Sequence, residues 1–431
     1  MKQDLTHPRC LLAARSRTPP QGGAPSGPAK PVPREPWRGI RRSTALALMG
    51  AFAFSAFAAT KVNIAVVSLD GDPRFAPRRM EKAYPGHPTG RAIDGVKLAA
   101  EDSSFELDAA GIELVVRDVV LPNAAALPKV LAELKAAKVQ HVVADLPVPE
   151  LNALVQAAPA ALGGAIVINS GQEDDALRGA QCAAHLLHTY PSRAMFSDAL
   201  AQYLAARNWR KALVLQGSLP EDALELEAFN RSAKRYGLKT TQLKPFKLTG
   251  DPRERDLANV RLLTGEREHD VVAVLDSDGE FARTVPYATQ WPRPVVGANG
   301  LVAAPWHPLW ERNGGPQLSR RFAKKAGHPM SGHDWAAWMA GRAIATVLAE
   351  QPKAPIAAQL KALRGGAVGV DGFKGPKLSF RAWDGQLRQP VFLSHVDGVV
   401  GVAPVDGVLH PKEVMDTLGV DEAESTCKQR P

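Results

Sequence analysis

An alternation of short apolar runs with helical patterns constrains the fold of this chain more than any other feature. The β-branched runs 62–67, 112–117 and 139–144 alternate with the helical patterns 123–138 and 148–158. Such runs are too short for helices and are typical of parallel strands that are buried on both faces. Strands and helices that alternate over short connections predict an α/β fold, with a parallel sheet between layers of helices.

The same alternation restarts in the second half of the chain. Strand patterns at 212–215, 271–275 and 294–297 are separated by further helical patterns, which predicts a second α/β lobe. An Asp-Gly pair at 397–398 between two β-rich runs predicts a C-terminal hairpin. We therefore expect an N-terminal extension with a signal peptide at 1–58, lobe 1 at 59–187 plus 298–388, lobe 2 at 188–297 plus 389–420, and a polar tail at 421–431.

The positive charge of the chain is concentrated at its N-terminus. The formal net charge is +9, but residues 1–58 hold nine basic and two acidic side chains and so contribute +7 of it. The remaining 373 residues are nearly neutral and lack the cationic surface that binding to phosphate backbones requires. Nucleic acid is therefore not an expected partner.

The N-terminal segment has the features of an export signal. Arg38, Arg41 and Arg42 precede an uncharged apolar run at 44–58, which ends in the small-x-small pattern of residues 56–58. The run is shorter than the roughly 18 residues of a membrane span. The pattern predicts a cleaved signal peptide and a periplasmic location, with an N-terminal membrane anchor as the alternative.

Four stretches, taken in order, carry a resemblance to a known family. They are an opening helix at 90–102, a crossing at 188–192, paired helices at 322–349 and a closing segment at 373–385. In this order and spacing they resemble the type I periplasmic binding proteins, in the branch that includes receptors for branched-chain amino acids. The resemblance implies two α/β lobes with a ligand cleft between them, and binding without catalysis. It also implies a monomer that delivers a small polar solute to an inner-membrane ABC permease.

A fifth stretch, 72–79, narrows the resemblance. It is similar to receptors found alongside pyrroloquinoline-quinone-dependent alcohol oxidation systems. The similarity implies a solute connected with that metabolism.

Candidate ligand-binding residues follow from the strand order. In parallel α/β lobes, ligands sit beyond the carboxyl ends of the strands, where loops and helix N-termini converge. Arg74 supplies the counter-charge there, and the crossing that resembles the family adds Tyr190. The rule itself selects Asp70, Asp72, Asp118, Asp145, Asn169, Ser170, Gln216, Asp276, Asp278 and Asn299.

The composition of this set bears on the ligand. Acidic side chains outnumber basic ones, which favours cations or hydroxyl-rich solutes over anions. Asp145 stands where amino-acid receptors of the family carry a small residue, which argues against an ordinary amino acid as the ligand.

Several alternatives remain open at this stage. The pair Asp70 and Asp72 could face Asp276 and Asp278 around a hard cation. The interpretation we favour is that these acids cap helices and stabilise loops, without a metal or a cofactor. A ligand or metal-ion sensor or chaperone could use the same fold. A disulfide between Cys182 and Cys427 is permitted but not predicted by their spacing.

Overall fold

Two parallel sheets, each covered by helices, form the body of the protein. The computed structural model describes residues 59–428, so the predicted extension and signal peptide at 1–58 lie outside the described residues. Within 59–428, none of the helices combines the length and the apolar character that crossing a bilayer needs.

Lobe 1 begins with a five-stranded parallel sheet in the order β2-β1-β3-β4-β5. Successive side chains of the first strand point to opposite faces, so Ile64 and Val66 pack in one apolar cluster and Ala65 and Val67 in the other. Both faces are buried, as the continuous β-branched runs predicted. Its elements are β1 (Thr60–Leu69), α1 (Pro77–Lys82), α2 (Ala92–Asp102), α3 (Ser104–Ala109), β2 (Ile112–Leu121), α4 (Leu127–Ala136), β3 (His141–Asp145), α5 (Val148–Leu162), β4 (Ile166–Asn169) and β5 (Leu186–His188).

Lobe 2 is built on a four-stranded parallel sheet in the order β7-β6-β8-β9. The segment between β7 and β8 contains a 3-10 helix at Pro252–Ala258, followed by a single α-helical turn. Residues 280–284 form turns, and the Asp276 carboxylate accepts the backbone N–H of Ala282 there. The elements are α6 (Arg193–Ala206), β6 (Lys211–Gln216), α7 (Pro220–Tyr236), β7 (Lys239–Pro245), α8 (Val260–Leu263), β8 (Val271–Leu275), α9 (Val285–Ala288) and β9 (Val295–Gly297).

The rest of the chain returns to lobe 1 and then crosses again. Trp335 and Trp338, three residues apart on the same helix, are fully buried in the lobe 1 core. The hairpin predicted at Asp397-Gly398 is present, and it joins a three-stranded sheet in the order β10-β13-β14 beside α6. These elements are β10 (Val302–Ala304), α10 (Gly315–Ala326), α11 (Gly332–Glu350), α12 (Ile356–Arg364), β11 (Val370–Asp371), β12 (Lys377–Leu378), β13 (Val391–His395) and β14 (Gly398–Ala403).

Helices α2 and α11 approach closely because glycines lie at their contact. A Cβ on Gly95 would lie 2.6 Å from the carbonyl oxygen of Asp334, and one on Gly341 would lie 2.6 Å from the Cβ of Ala99. This close packing fixes the N-terminus of α2 beside β1 and β3, where the candidate residues of lobe 1 lie.

A disulfide links Cys182 to Cys427 across 245 residues of sequence. It joins a loop of lobe 1, after β4, to the C-terminal end of the described chain. The sequence permitted this disulfide without predicting it, and the structure contains it.

Candidate functional site

Arg74 lies at the centre of the candidate residues of lobe 1. Its Nη2 donates to Asp72 Oδ2 at 2.7 Å and to Asp145 Oδ1 at 3.1 Å, while its Nε contacts both oxygens of Asp72. Asp72 also accepts the backbone N–H of Arg74 and caps a short helical turn. Burial raises the pKa of Asp145, and the positive charge of Arg74 opposes that shift. The structure thus brings three of the predicted residues into one ion-paired cluster.

The third guanidinium nitrogen of Arg74 is held in a different environment. Its Nη1 is buried and has no hydrogen-bond partner within residues 59–428. A Cβ on Gly171 would lie 2.8 Å from this nitrogen and 3.6 Å from Cδ2 of His333. The absence of a side chain at Gly171 therefore keeps the space beside Nη1 open.

Two aromatic rings form a shelf next to Arg74. Tyr190 and His333 stack with their ring centroids 4.4 Å apart and their planes inclined by 30°. Burial lowers the pKa of His333 well below its ordinary value, and the charge of Arg74 adds to this effect. Burial likewise raises the pKa of Tyr190. Both rings are therefore neutral near pH 7, and each combines an apolar face with a polar edge.

The hinge network positions Tyr190. The buried Arg178 donates from Nη2 to the carbonyl oxygen of Tyr190 at 2.8 Å and from Nε to Gln386 at 2.9 Å. Gln386 in turn donates to the carbonyl oxygens of His188 and Tyr190. His188 contacts the side chain of Asn169, whereas His185 contacts the carbonyl oxygen of Val155.

Asn169 and Ser170 shape the loop that carries Gly171. The Asn169 side chain donates to the carbonyl oxygen of Gln172 at 2.7 Å and accepts the backbone N–H groups of Gly171 and Gln172. Ser170 Oγ donates to the carbonyl oxygen of Ala144 at 3.2 Å. Both side chains are fully buried and act through the backbone of this loop.

Asp70 lies at the edge of lobe 1, away from Asp72. Together with Ser68, Arg91 and Asp118 it lines a cavity of about 210 Å³ at the carboxyl ends of β1 and β2, and Asp145 borders the same cavity. Asp70 therefore does not join Asp72 in a shared carboxylate cluster.

The acidic residues of lobe 2 are engaged by backbone groups and by lobe 1. Asp276 accepts from the N–H of Ala282 at 2.8 Å, and Asp222 accepts from the N–H of Ser277 at 2.7 Å. Asn299 donates to the carbonyl oxygen of Ala282. Ser277 Oγ is buried without a protein partner within the described chain. Asp72 and Asp276 thus serve as the caps that the favoured interpretation predicted.

Ion pairs join the two lobes at the mouth of the cleft. Arg79 of α1 pairs with Asp278, and Lys82 donates to Glu280 at 2.5–2.7 Å. Tyr84 also donates to Glu280, whose pKa the hydrogen bonds from Lys82 and Tyr84 lower to about 2. We call these contacts between α1 and residues 278–280 the rim pairs. They hold the lobes in a closed arrangement.

Three further charged residues lie in the cleft and escaped the sequence analysis. Glu173 follows β4, Arg193 opens α6, and Glu225 lies on α7. Arg193 Nη2 pairs with Glu173 at 3.2 Å, while its Nε is buried without a partner among residues 59–428. Burial raises the pKa of Glu225 to about 8, and the charge of Glu173 adds to the shift. Glu225 stands one helical turn after Asp222, so its spacing on α7 was the available signal.

This arrangement changes the electrostatic argument made from the sequence. The carboxylates of Asp72, Asp145, Asp278 and Glu173 are paired with arginines, and those of Asp222 and Asp276 accept backbone N–H groups. These six acidic residues therefore do not amount to six free negative charges. Among the buried polar atoms without a protein partner in residues 59–428, three lie at the cleft and can donate a hydrogen bond: Arg74 Nη1, Arg193 Nε and Ser277 Oγ. The cleft is suited to a solute that carries acceptor oxygens.

The residues do not fit a metal centre. Within 59–428 there is no group of three or more His, Cys, Asp or Glu side chains with the geometry to hold a metal ion. Asp278, which the cation hypothesis placed opposite Asp70, is instead paired with Arg79.

Comparisons with known proteins identify the fold. No protein-family model matches the sequence, and no curated protein matches it. A Burkholderia mallei periplasmic binding protein aligns with a TM-score of 0.60 at 11% identity, over 85% of this chain and 98% of that one. A leucine-, isoleucine-, valine-, threonine- and alanine-binding protein from Brucella ovis, in a closed conformation, gives 0.65 at 14% identity, over 86% and 100%.

A third structure is an R. palustris ABC transporter solute-binding protein in complex with benzoate. It aligns with a TM-score of 0.56 at 13% identity, over 85% of this chain and 99% of that one. Near-complete coverage of all three neighbours, together with the two parallel sheets and the crossings between them, confirms the predicted fold class. The chain has the two-lobed fold of the type I periplasmic binding proteins.

Proposed function

We propose that this protein is the substrate-binding component of an ABC importer, which captures a small polar solute in the periplasm and delivers it to an inner-membrane permease. The observation that carries the proposal is a group of three buried donors at the cleft, Arg74 Nη1, Arg193 Nε and Ser277 Oγ, that have no protein partner in the described part of the chain. Buried donors are costly unless they are satisfied, and a bound solute can satisfy them. Structural neighbours that are ABC transporter binding proteins support the same role.

Binding operates by lobe closure. Arg74 belongs to lobe 1, Ser277 belongs to lobe 2, and Arg193 lies just past the first crossing. A solute that contacts all three gains its full interaction only when the lobes are together, so it shifts the equilibrium towards the closed arrangement. The role needs no catalytic step, and the protein acts as a monomer that meets the permease through its two lobes.

The solute is a small molecule with acceptor oxygens and a flat body. Its oxygens would accept from Arg74 and Ser277, and its body would lie on the shelf formed by Tyr190 and His333. The benzoate complex of one structural neighbour supports the inclusion of aromatic acids among the candidates.

The stretch 72–79 supports a connection with pyrroloquinoline-quinone-dependent alcohol oxidation. It supplies Arg74 at the centre of the cleft and Arg79 at the rim, so the resemblance falls on residues that line the site. Organic acids formed by alcohol oxidation therefore belong in the first panel of solutes. The disulfide between Cys182 and Cys427 supports a periplasmic location, since such bonds persist in oxidising compartments.

A thermal-melting screen tests the proposal. Residues 59–431 are melted with amino acids, aromatic acids, alcohol-derived acids, polyols and metal ions. A solute at 100 times its dissociation constant should stabilise the native state by about 2.7 kcal/mol, which is readily seen as a rise in Tm. A rise with one small solute is the expected result. Stabilisation by metal ions alone, or by no compound of a broad panel, would contradict the proposal.

A further inference from the structure

The C-terminal segment after β14 runs along the crossings and contacts both lobes. We call residues 404–428 the C-terminal strap. It lacks long helices or strands of its own, and its hydrogen bonds go to side chains of the two lobes in turn. The contacts alternate between lobe 1 and lobe 2 along the strap, and this order indicates how the strap connects the lobes.

Asp416 is the first anchor on lobe 1. Its carboxylate accepts from Arg381 Nε at 2.8 Å and from Arg388 Nε and Nη2 at 2.9 and 3.0 Å. Arg381 is only 1% exposed, and the neighbouring Phe380 and Leu387 belong to the lobe 1 core. A buried, multiply hydrogen-bonded ion pair of this kind is costly to break on one side.

Gly419 is the matching anchor on lobe 2, three residues later. Its N–H donates to Asp198 Oδ2 at 2.8 Å, and its carbonyl oxygen accepts from Arg235 Nη1 at 2.8 Å. The preceding Leu418 is fully buried in the lobe 2 core with Met195. Gly419 has φ +84°, and a Cβ there would lie 2.8 Å from Met195 Cγ, so the contact requires glycine.

The alternation is then repeated. Glu424 pairs with Arg235 of lobe 2 at 2.9 Å, and three residues later Cys427 is bonded to Cys182 of lobe 1. Three residues of extended chain span at most about 10–11 Å. Each pair of anchors therefore limits how far the attached parts of the two lobes can separate.

We infer that the C-terminal strap connects the two lobes beside the hinge, and that the Cys182–Cys427 disulfide limits how far the cleft opens. The connection through Glu424 and Cys427 is called the outer connection. Without the disulfide, the end of the strap loses its covalent link to lobe 1 and keeps only non-covalent contacts, such as the partly exposed pair between Arg235 and Glu424. Such pairs contribute about 0–1 kcal/mol, too little to hold a chain terminus in place. Reduction of the disulfide therefore releases the outer connection and allows the cleft between the lobes to open more widely. The inference concerns the protein without solute and does not depend on the identity of the ligand.

Single-molecule FRET tests the inference on one and the same protein. Cysteines replace Lys129 in lobe 1 and Arg255 in lobe 2, two exposed residues near the carboxyl ends of the sheets, outside both the rim pairs and the strap. The K129C/R255C protein is labelled with maleimide dyes while the native disulfide is intact. The distance distribution is then recorded without solute, before and after dithiothreitol. We expect reduction to add a population with lower transfer efficiency.

The C182S/C427S variant with the same dye positions is the control. It should show the wide distribution from the start and should not respond to dithiothreitol. Superimposable distributions for the oxidised and reduced wild-type disulfide would overturn the inference. So would a dithiothreitol response in the variant, because that response would arise elsewhere. Because no solute is added, a failure to find a ligand would leave this result unaffected.

Discussion

Arg74 donates to two aspartates through Nε and Nη2, and its third nitrogen, Nη1, has no protein partner within the described residues. Asp72 and Asp145 hold the guanidinium in one orientation, which directs Nη1 towards the loop at Gly171. A fixed planar donor of this kind loses little conformational entropy when it binds a solute oxygen. The two aspartates are therefore positioning residues for a donor.

Substituting Gly171 by alanine tests the geometry beside Arg74. The added Cβ would lie 2.8 Å from Nη1, so the guanidinium must shift or the solute must lie further away. We expect G171A to weaken solute binding at least tenfold, which corresponds to about 1.4 kcal/mol, with little change in Tm. Titration calorimetry with the solute found in the screen provides the measurement. Unchanged affinity in a folded G171A protein would exclude this loop from the site.

Glu225 predicts a pH dependence of stability. Its pKa is about 8 in the folded protein and 4.5 ordinarily, so between these values the unfolded chain releases a proton that the folded protein keeps. The free energy of unfolding contributed by this group is fully present below pH 4.5 and is lost as the pH rises through 8. At about 1.4 kcal/mol per pKa unit, discounted for partial exposure, the loss is roughly 2–4 kcal/mol.

The variant E225Q isolates this effect, because glutamine keeps the shape and cannot ionise. We expect E225Q to be more stable than wild type at pH 8 and to approach it near pH 5, in urea unfolding at both pH values. E227Q, on the exposed side of the same helix, is the matched control and should follow wild type. Parallel pH profiles for wild type and E225Q would contradict the prediction.

At the scale of elements, helix α1 meets the loop after β8 through the rim pairs. Arg79 and Lys82 both point from α1 to acidic residues of the other lobe, 199 and 198 positions away in sequence. The pairs are partly exposed, so each is weak and is screened by salt. They favour closure without specifying the solute.

Removing the rim pairs should weaken solute binding only because the contact between the two lobes becomes less stable. The double variant D278N/E280Q is expected to raise the Kd about two- to tenfold, given the worth of exposed pairs, and to reduce its dependence on salt. D251N removes a comparable pair that lies wholly within lobe 2 and should leave Kd unchanged. Titrations at low and high salt provide the comparison. Equal salt dependence in wild type and D278N/E280Q would show that the rim pairs do not assist closure.

The elements also show what sequence patterns could predict. Buried strands such as β1 and β8 were predicted because their β-branched runs report burial directly. Strand β7 was missed because it lies at a sheet edge, where charged and polar residues alternate and no apolar run forms. The three-residue strand β5 is too short to show any period.

The candidate site was predicted in part for a similar physical reason. The rule for parallel sheets found Asp72, Arg74 and Asp145, because they follow strands. It could not find Glu225 or His333, which reach the cleft from helices, nor show that most carboxylates are already paired. Pairing depends on contacts such as Asp145 with Arg74, 71 residues apart, that no local pattern reports.

At the scale of the whole molecule, two sets of contacts join the two lobes. The rim pairs join the lobes at the mouth of the cleft, and the C-terminal strap joins them beside the hinge. Between them lie Tyr190, His333 and the three donors that have no protein partner within residues 59–428. The proposed capture of a solute requires the lobes to open and close, and both sets of contacts lie where that movement would change them.

Titration of the solute from the screen into wild type, R74M and R253M determines whether the solute binds at Arg74. R74M removes the buried donor, whereas R253M removes an exposed arginine paired with Asp251 outside the cleft. We expect R74M to weaken solute binding at least tenfold, which corresponds to about 1.4 kcal/mol, and R253M to bind the solute as wild type does. Equal affinity of a folded R74M protein and wild type would show that the solute does not bind at Arg74 between the two lobes.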